Sequence, residues 1–446
     1  MLDRILFPCI AGLFSLTTVV SPALASTASA DMSGVVDAAD EPSLAASEGA
    51  VSSLGTSEDV TPAPSSSEEE GGVDDASGGG SDIPLDRDDL RAGQTAEGFD
   101  IAVSGYIRSL VSYIDYDETE TDFIGRNQGF GLANVRLGVR GRSDRARFVI
   151  EADGAYAALD QSNTFEGSIS VMLADALAAY ALLPGILEVE IGQQKVPFDG
   201  ETLIPTAKLP FIRNSVWQRG VRGVEGFNVD GLGLDREVGV TLAGRRIGLG
   251  ASQMAISYAA ALTNGTPATE AMNENRSLAA YARLEGHFAD ILTVGGALYQ
   301  NTRSFGTLPD LLDERHLGFA ADVMASYAGG WLRANFVQRH TDYPDVEVES
   351  SRVSLGLGAS IGYRIPIGLE TAYRISFYDP TWRFPDASPS MSAQLEANEL
   401  IYHTVGVSWV PHLQPFAAQL NYTHARENPD RAVRNDRVEL LGRLVF

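Results

Sequence analysis

A chain of 446 residues has room for two or three ordinary domains, but its formal net charge of −26 is gathered toward one end. That acidity argues against nucleic acid as a partner, and a single cysteine, Cys9, leaves no disulfide framework and no cysteine-based metal or nucleophile site. Past the first 25 residues no run of ~18 charge-free apolar residues occurs, so no membrane-spanning helix is expected.

The opening residues carry the marks of a cleaved export signal. Arg4 precedes an apolar stretch from Ile5 to Val20, and Ala23-Leu24-Ala25 supplies small residues for cleavage after Ala25, which would remove Cys9. Residues 26–99 follow with 17 acidic and two basic residues, including Ser65-Ser66-Ser67-Glu68-Glu69-Glu70 and Gly78-Gly79-Gly80. Such a stretch has too little apolar surface to offset chain entropy, so a disordered acidic linker is expected. It reads as a solvated spacer, with a partner-binding periplasmic tail as the alternative.

From Asp100 to Phe446 the texture changes to segments of roughly ten residues that alternate in polarity between Gly, Pro, Asn and Asp clusters. Ala133, Val135, Leu137 and Val139 alternate with Asn134, Arg136 and Arg140, and Leu187, Val189 and Ile191 with Glu188 and Glu190. Farther on, Val353, Leu355, Leu357, Ala359 and Ile361 alternate with Arg352, Ser354 and Ser360. Successive side chains on a strand point to opposite faces, so each segment has one apolar and one polar face. A packed sandwich core would not tolerate so many unpaired charges. With lipid outside and water inside, the same pattern becomes favourable. The expectation is an all-β, transmembrane antiparallel barrel of about 16 strands over residues 100–446, wide enough to hold an aqueous channel. Aromatic residues near strand ends (Tyr106, Tyr113, Trp331, Tyr343, Tyr363, Trp382, Trp409 and Tyr422) are candidates for interfacial girdles.

One connection breaks the rhythm. The stretch from Asp199 to Gly226 shows no alternation, and loops that long are usually functional. Folded into the lumen it would narrow the passage. Lys195, Lys208, Arg213, Arg219 and Arg222 are the candidate constriction and anion-binding residues, because Lys and Arg favour anions by attraction and by donation to their oxygens. On the strands, Arg136, Arg140, Arg283, Arg352 and Arg374 are candidate lumenal cations. Glu151, Asp153, Glu188, Glu190, Glu285, Glu370 and Glu439 share those polar faces, so cross-strand pairing is the competing expectation. The last segment ends on Phe446, with Val438, Leu440 and Leu444 on its face, which resembles the assembly signal of outer-membrane barrels.

From Phe99 onward the chain resembles the phosphate-selective porin O and P family. The likeness rests on Val135-Arg136-Leu137-Gly138-Val139-Arg140-Gly141, on Phe148 to Asp153, and on Asp175 to Tyr180. It continues through Val189-Glu190-Ile191-Gly192-Gln193-Gln194-Lys195-Val196-Pro197-Phe198, then Arg236 to Val240 and Thr263-Asn264-Gly265, where Thr replaces the family's Phe. The resemblance implies a 16-stranded homotrimeric porin with an inward-folded loop, in some members preferring phosphate. It places the chain in outer-membrane lipid, handled by the barrel assembly machinery and passing small hydrophilic or anionic solutes. A structural anchor or adhesin barrel is the alternative function. The six histidines are scattered, and no Walker loop, HExxH or dinucleotide fingerprint occurs, so no enzyme, cofactor or metal is expected.

Overall fold

The computed structural model describes residues 93–94, 100–115, 129–154, 171–221, 225, 229–250, 253–266, 273, 276–307, 310–344, 351–383, 399–411, 415–427 and 434–446. The expected export signal 1–25, the acidic linker 26–99 apart from Gly93 and Gln94, and Arg222 lie outside the described residues.

Sixteen strands form the wall. They are β1 (Asp100–Ile114), β2 (Gly129–Arg142), β3 (Ala146–Asp153), β4 (Met172–Leu183), β5 (Leu187–Lys195), β6 (Arg236–Gly248), β7 (Met254–Thr263) and β8 (Ala279–Phe288). Then come β9 (Leu292–Thr307), β10 (Asp310–Tyr327), β11 (Gly330–Asp342), β12 (Arg352–Arg364), β13 (Leu369–Arg383), β14 (Leu400–Trp409), β15 (Phe416–Glu427) and β16 (Arg437–Val445). Each pairs antiparallel with its sequence neighbours, and β16 pairs with β1, where Arg443 lies opposite Arg108. The sheet closes on itself. Beyond β16, Phe446 exchanges backbone hydrogen bonds of 2.8 and 2.9 Å with Gly105, so the last residue of the chain is zipped into the seam.

Burial decides between a packed sandwich and a membrane barrel. In β16, Val438, Leu440 and Leu444 are 42%, 49% and 47% exposed, whereas Arg437, Glu439 and Arg443 are 3%, 2% and 6% exposed. Apolar side chains point outward and charged ones inward, the reverse of a soluble protein. The outer face carries Tyr180, Tyr327, Tyr363, Trp409, Phe416 and Phe446 toward one end, with Tyr113, Phe130 and Tyr422 toward the other. Three aromatics expected in the girdles are not there, among them Tyr343, whose hydroxyl donates to the lumenal Glu314 at 3.0 Å. Tyr106 faces the lumen beneath the Arg136 guanidinium, and Trp331 donates to Glu370 at 3.1 Å from the inner face of β11.

The connections are unequal. Tight turns of two to four residues join β2 to β3, β4 to β5, β8 to β9, β10 to β11 and β12 to β13, all at one end. The connections at the opposite end are longer, except for the two residues between β9 and β10. Register shifts displace several strand positions from strict alternation. Register slips between Arg108 and Ser109 against β2, so Ala133 sits in a bulge and is buried with Leu110 rather than facing outward. Strand β5 stops at Lys195, where the chain turns into the lumen.

Candidate functional site

The inward turn is built by the residues after Val189. Gly192 has φ +128°, and a Cβ there would lie 2.1 Å from the Ala176 carbonyl oxygen, so only glycine fits. The Gln193 amide donates to the Ala174 carbonyl at 2.9 Å, covering the bend. Lys195 reaches forward and donates to the carbonyls of Thr202 and, at 3.1 Å, Ile204. Phe198, fully buried, meets the edge of Tyr299 with centroids 4.7 Å apart, and Tyr299 stacks on Tyr281. The segment Gln193-Gln194-Lys195-Val196-Pro197-Phe198 therefore bends the chain and seats it against the far wall.

The described residues between Val196 and Asp235 then fold as a compact insert. Asp199 caps a short helix, Gly200–Leu203, accepting from the Thr202 N–H at 2.7 Å and from its hydroxyl at 2.6 Å. Burial pushes the Asp199 carboxyl up to about 6, with Thr202 pulling against it and Glu201 and Asp322 adding to the rise. Glu201 accepts from the N–H and hydroxyl of Ser215, each at 2.6 Å, tying this helix to the next, Val216–Arg219. Gly220–Val221 pairs with Val229–Asp230 to close the unit.

The insert is held on one side of the barrel. Trp217, with no exposed surface, lies over Gly356 and Gly358 of β12, where a Cβ would come within 2.6 and 2.7 Å of it. Phe211 packs under the Arg374 guanidinium of β13, 4.5 Å away, and against Gly406 of β14. Backbone carbonyls of the insert are taken up in turn. Arg108 donates to Ile212 at 3.1 Å, Arg374 to Arg213 at 3.0 Å, Gln419 to Leu209 at 3.0 Å, and Arg443 to Ala207. A charged cluster completes the seat. Arg213 pairs with Glu439 at 2.6 Å, Arg219 with Glu225 at 2.6 and 2.7 Å, and Arg437 with both Glu225 and Glu439.

On the long-loop side of the insert is a cavity of about 900 Å³. Nine basic residues line it (Arg108, Arg136, Lys195, Arg213, Arg219, Arg236, Arg303, Arg339 and Arg352) against five acidic ones (Asp153, Asp230, Asp235, Glu237 and Glu314). Most of these cations are engaged. Arg136 pairs with Asp153 at 3.0 Å, Arg236 with Asp175 at 2.7 Å, and Arg352 lies 3.7 Å from Glu314. Glu314 also accepts from Tyr343 at 3.0 Å and lies 3.2 Å from His316. Arg303 on β9 and Arg339 on β11 form no salt bridge among the described residues, and the Nε of each is buried without a hydrogen-bond partner.

The candidates of the sequence thus fall into distinct places. Lys195, Arg213 and Arg219 line the cavity but spend their donors on the insert and its seat. Lys208 ends a 3-10 turn, Thr206–Lys208, away from the cavity lining. Arg140 pairs with Glu151 at 2.7 Å and Arg283 with Asp322 at 2.8 Å, so cross-strand pairing prevails over an open ladder at these positions. Arg303 and Arg339 escaped notice in the sequence. Alternation alone assigns them to the inner face, but their standing outside the close ion pairs emerges only once the strands are in register.

No family model matches the chain, and no curated protein matches it. Among solved structures, the outer membrane channel DcaP of Acinetobacter baumannii superposes with a TM-score of 0.56 at 16% identity, over 80% of this chain and 100% of that one. An anion-selective porin from Comamonas acidovorans gives 0.54 at 12% identity, over 78% of this chain and 100% of that one. OmpT of Vibrio cholerae, an outer membrane protein in its trimer form, gives 0.52 at 9%, again over 78% and 100%. The likeness is one of fold. It extends to the whole length of each of these barrels.

Proposed function

We propose that this chain is an outer-membrane porin, a passive water-filled channel that prefers small anions. The observation that carries the reading is the excess of nine basic over five acidic residues around the large cavity, in a protein whose net charge is −26. Positive charge is concentrated where a solute would pass, and it is guanidinium charge, suited to the planar oxygens of carboxylates and phosphates. Arg303 and Arg339 are the cations that recruit the solute, since the others are held in ion pairs or in bonds to carbonyls of the insert. A dehydrating anion exchanges part of its water shell for guanidinium donors and, with no enclosing set of ligands, leaves again. The resemblance to phosphate-selective porins makes phosphate the first anion to try, and the anion-selective structural neighbour favours the same sign of selectivity. A homotrimer is the assembly we assign, in keeping with the trimeric neighbour. Residues 1–25 are assigned as export signal, 26–99 as an acidic spacer, and Phe446 as part of the assembly signal.

The test is the reversal potential of the purified protein in planar bilayers under a KCl gradient. The wild type should reverse on the anion side, and replacing both Arg303 and Arg339 by Gln should move it toward zero. A cation-directed potential in the wild type would remove the anion preference. Absence of any current from correctly folded protein would remove the pore.

A further inference from the structure

On the other side of the insert, toward the tight turns, lies a second cavity of about 290 Å³. Its lining differs in kind from that of the large one. Leu203, Ile204 and Phe211 of the insert face Met324 of β10, so much of the wall is apolar. Four arginines also reach it, and three of them are occupied. Arg246 pairs with Asp290 at 2.9 Å and Arg283 with Asp322 at 2.8 Å, while Arg374 donates to the carbonyl of Arg213 at 3.0 Å. The fourth, Arg333 of β11, forms no salt bridge among the described residues. Its Nε is buried without a hydrogen-bond partner, and its guanidinium lies 5.1 Å from the ring of Trp331.

A guanidinium outside every close ion pair, with its Nε buried and unbonded beside apolar side chains, is a recognition element for an amphipathic anion. We infer that this chamber is a binding station for small monocarboxylates with an apolar body, of about the size of benzoate. The inference rests on the pore reading above and adds a solute class to it. The volume suits such a molecule, falling at the lower limit of about 300 Å³ usual for small-ligand sites. The carboxylate pairs with Arg333 and the body lies against Ile204, Phe211 and Met324. Glu201, Glu285 and Asp322 also line the chamber, and with Asp290 on Arg246 they set four carboxylates against four arginines. A wall so balanced, with one guanidinium outside its close ion pairs, takes a single carboxylate more readily than a doubly charged anion. Phosphate, multiply charged at neutral pH and without an apolar part, gains nothing from this wall.

The experiment is single-channel recording of the full chain in KCl, with benzoate, acetate or inorganic phosphate added to either side. Benzoate should block in a concentration-dependent way at about tenfold lower concentration than acetate or phosphate. Arg333→Gln should weaken that block about tenfold, the loss expected for one charge-assisted hydrogen-bonded contact. Arg333→Lys, which keeps the charge, should restore much of it. Equal block by benzoate and acetate, or undiminished block in Arg333→Gln, overturns the inference. If the folded protein carries no current, the pore reading fails instead. Calorimetric titration of the detergent-solubilised protein with benzoate then decides the station by itself, with binding lost in Arg333→Gln expected and absence of binding to the wild type fatal.

Discussion

Glu225 is the residue on which the position of the insert turns. It is 1% exposed and accepts from Arg219 at 2.6 and 2.7 Å and from Arg437 of β16. Arg213, Arg219, Arg437 and Glu439, its companions in the cluster, are all no more than 9% exposed. Glu225→Gln leaves three buried guanidiniums facing the single carboxylate of Glu439. Breaking a buried pair in this way costs about 3–5 kcal/mol, because the orphaned charge stays out of water. The apolar part of the seat, mainly Trp217, Phe211, Ile212 and Val216, contributes about 1.5–3 kcal/mol per side chain at most. The substitution therefore removes a large share of the docking energy and raises the undocked population by about two to three orders of magnitude. Single-channel traces should show discrete excursions to a larger conductance as the insert leaves the lumen. Because the pairs are buried, molar KCl should not abolish the difference between variant and wild type. Arg437→Met added to Glu225→Gln should quiet the channel again by deleting one of the stranded charges. A Glu225→Gln barrel that folds, as judged by heat-modifiable gel mobility, yet conducts with wild-type amplitude and no excursions would refute the latch.

Other substitutions separate the apolar seat from the charged one. Trp217→Ala empties a fully buried site at a cost of about 3–5 kcal/mol and should produce frequent conductance excursions, visible in the same recordings. Gly358→Val places a Cβ 2.7 Å from the Trp217 indole nitrogen, pushing the insert away from β12 and into the passage, so mean conductance should fall. Asp199, pushed up to about 6, holds its proton more readily in the docked loop than in the free chain. Docking should be firmest below the ordinary carboxylate range near 4, weaken as pH rises to about 6, and level off above that. Excursions should accordingly be rarer at about pH 5 than at neutral pH, and Asp199→Asn, which keeps the acceptor for Thr202, should flatten the profile.

The wall of the barrel was legible because alternation is a local property. Sixteen segments expected from polarity and turn residues correspond to the sixteen strands, from Asp100–Ile114 to Arg437–Val445. Departures occur where a local signal is overruled by a neighbour. Ala133 fits the outward series of Val135 and Leu137, but the bulge against β1 turns it into the wall. Trp331 was placed among the girdle aromatics on its position at a strand end, although it shares parity with Arg333 and Arg339, and that parity carries it inward. The partners of Arg136 and Arg283 could be read from facing polar residues on adjacent strands. Those of Arg108 and Arg374 could not, since each donates to a carbonyl more than a hundred residues away in the insert. The insert itself declares its presence by broken alternation, and its inward course by nothing except the family-like run ending in Pro197-Phe198.

This division has a consequence for how aperture and selectivity are encoded. A cation paired with a carboxylate has its field at the passage largely cancelled, and one that grips a carbonyl of the insert has its donors spent on holding it. Arg108, Arg213, Arg219, Arg374, Arg437 and Arg443 are used in this way, all toward the seat formed by β1 and β12–β16. The solute must therefore be sensed by arginines that the insert does not use. Those are Arg303 and Arg339 above it and Arg333 below it, on β9 and β11, beside the β12 edge of the seat. Changes at the seat should then alter conductance and its noise with little effect on the sign of selectivity. Changes on β9 and β11 should shift reversal potential or block with little effect on noise. A single residue that moved both strongly would mean that the insert and the solute compete for the same charge.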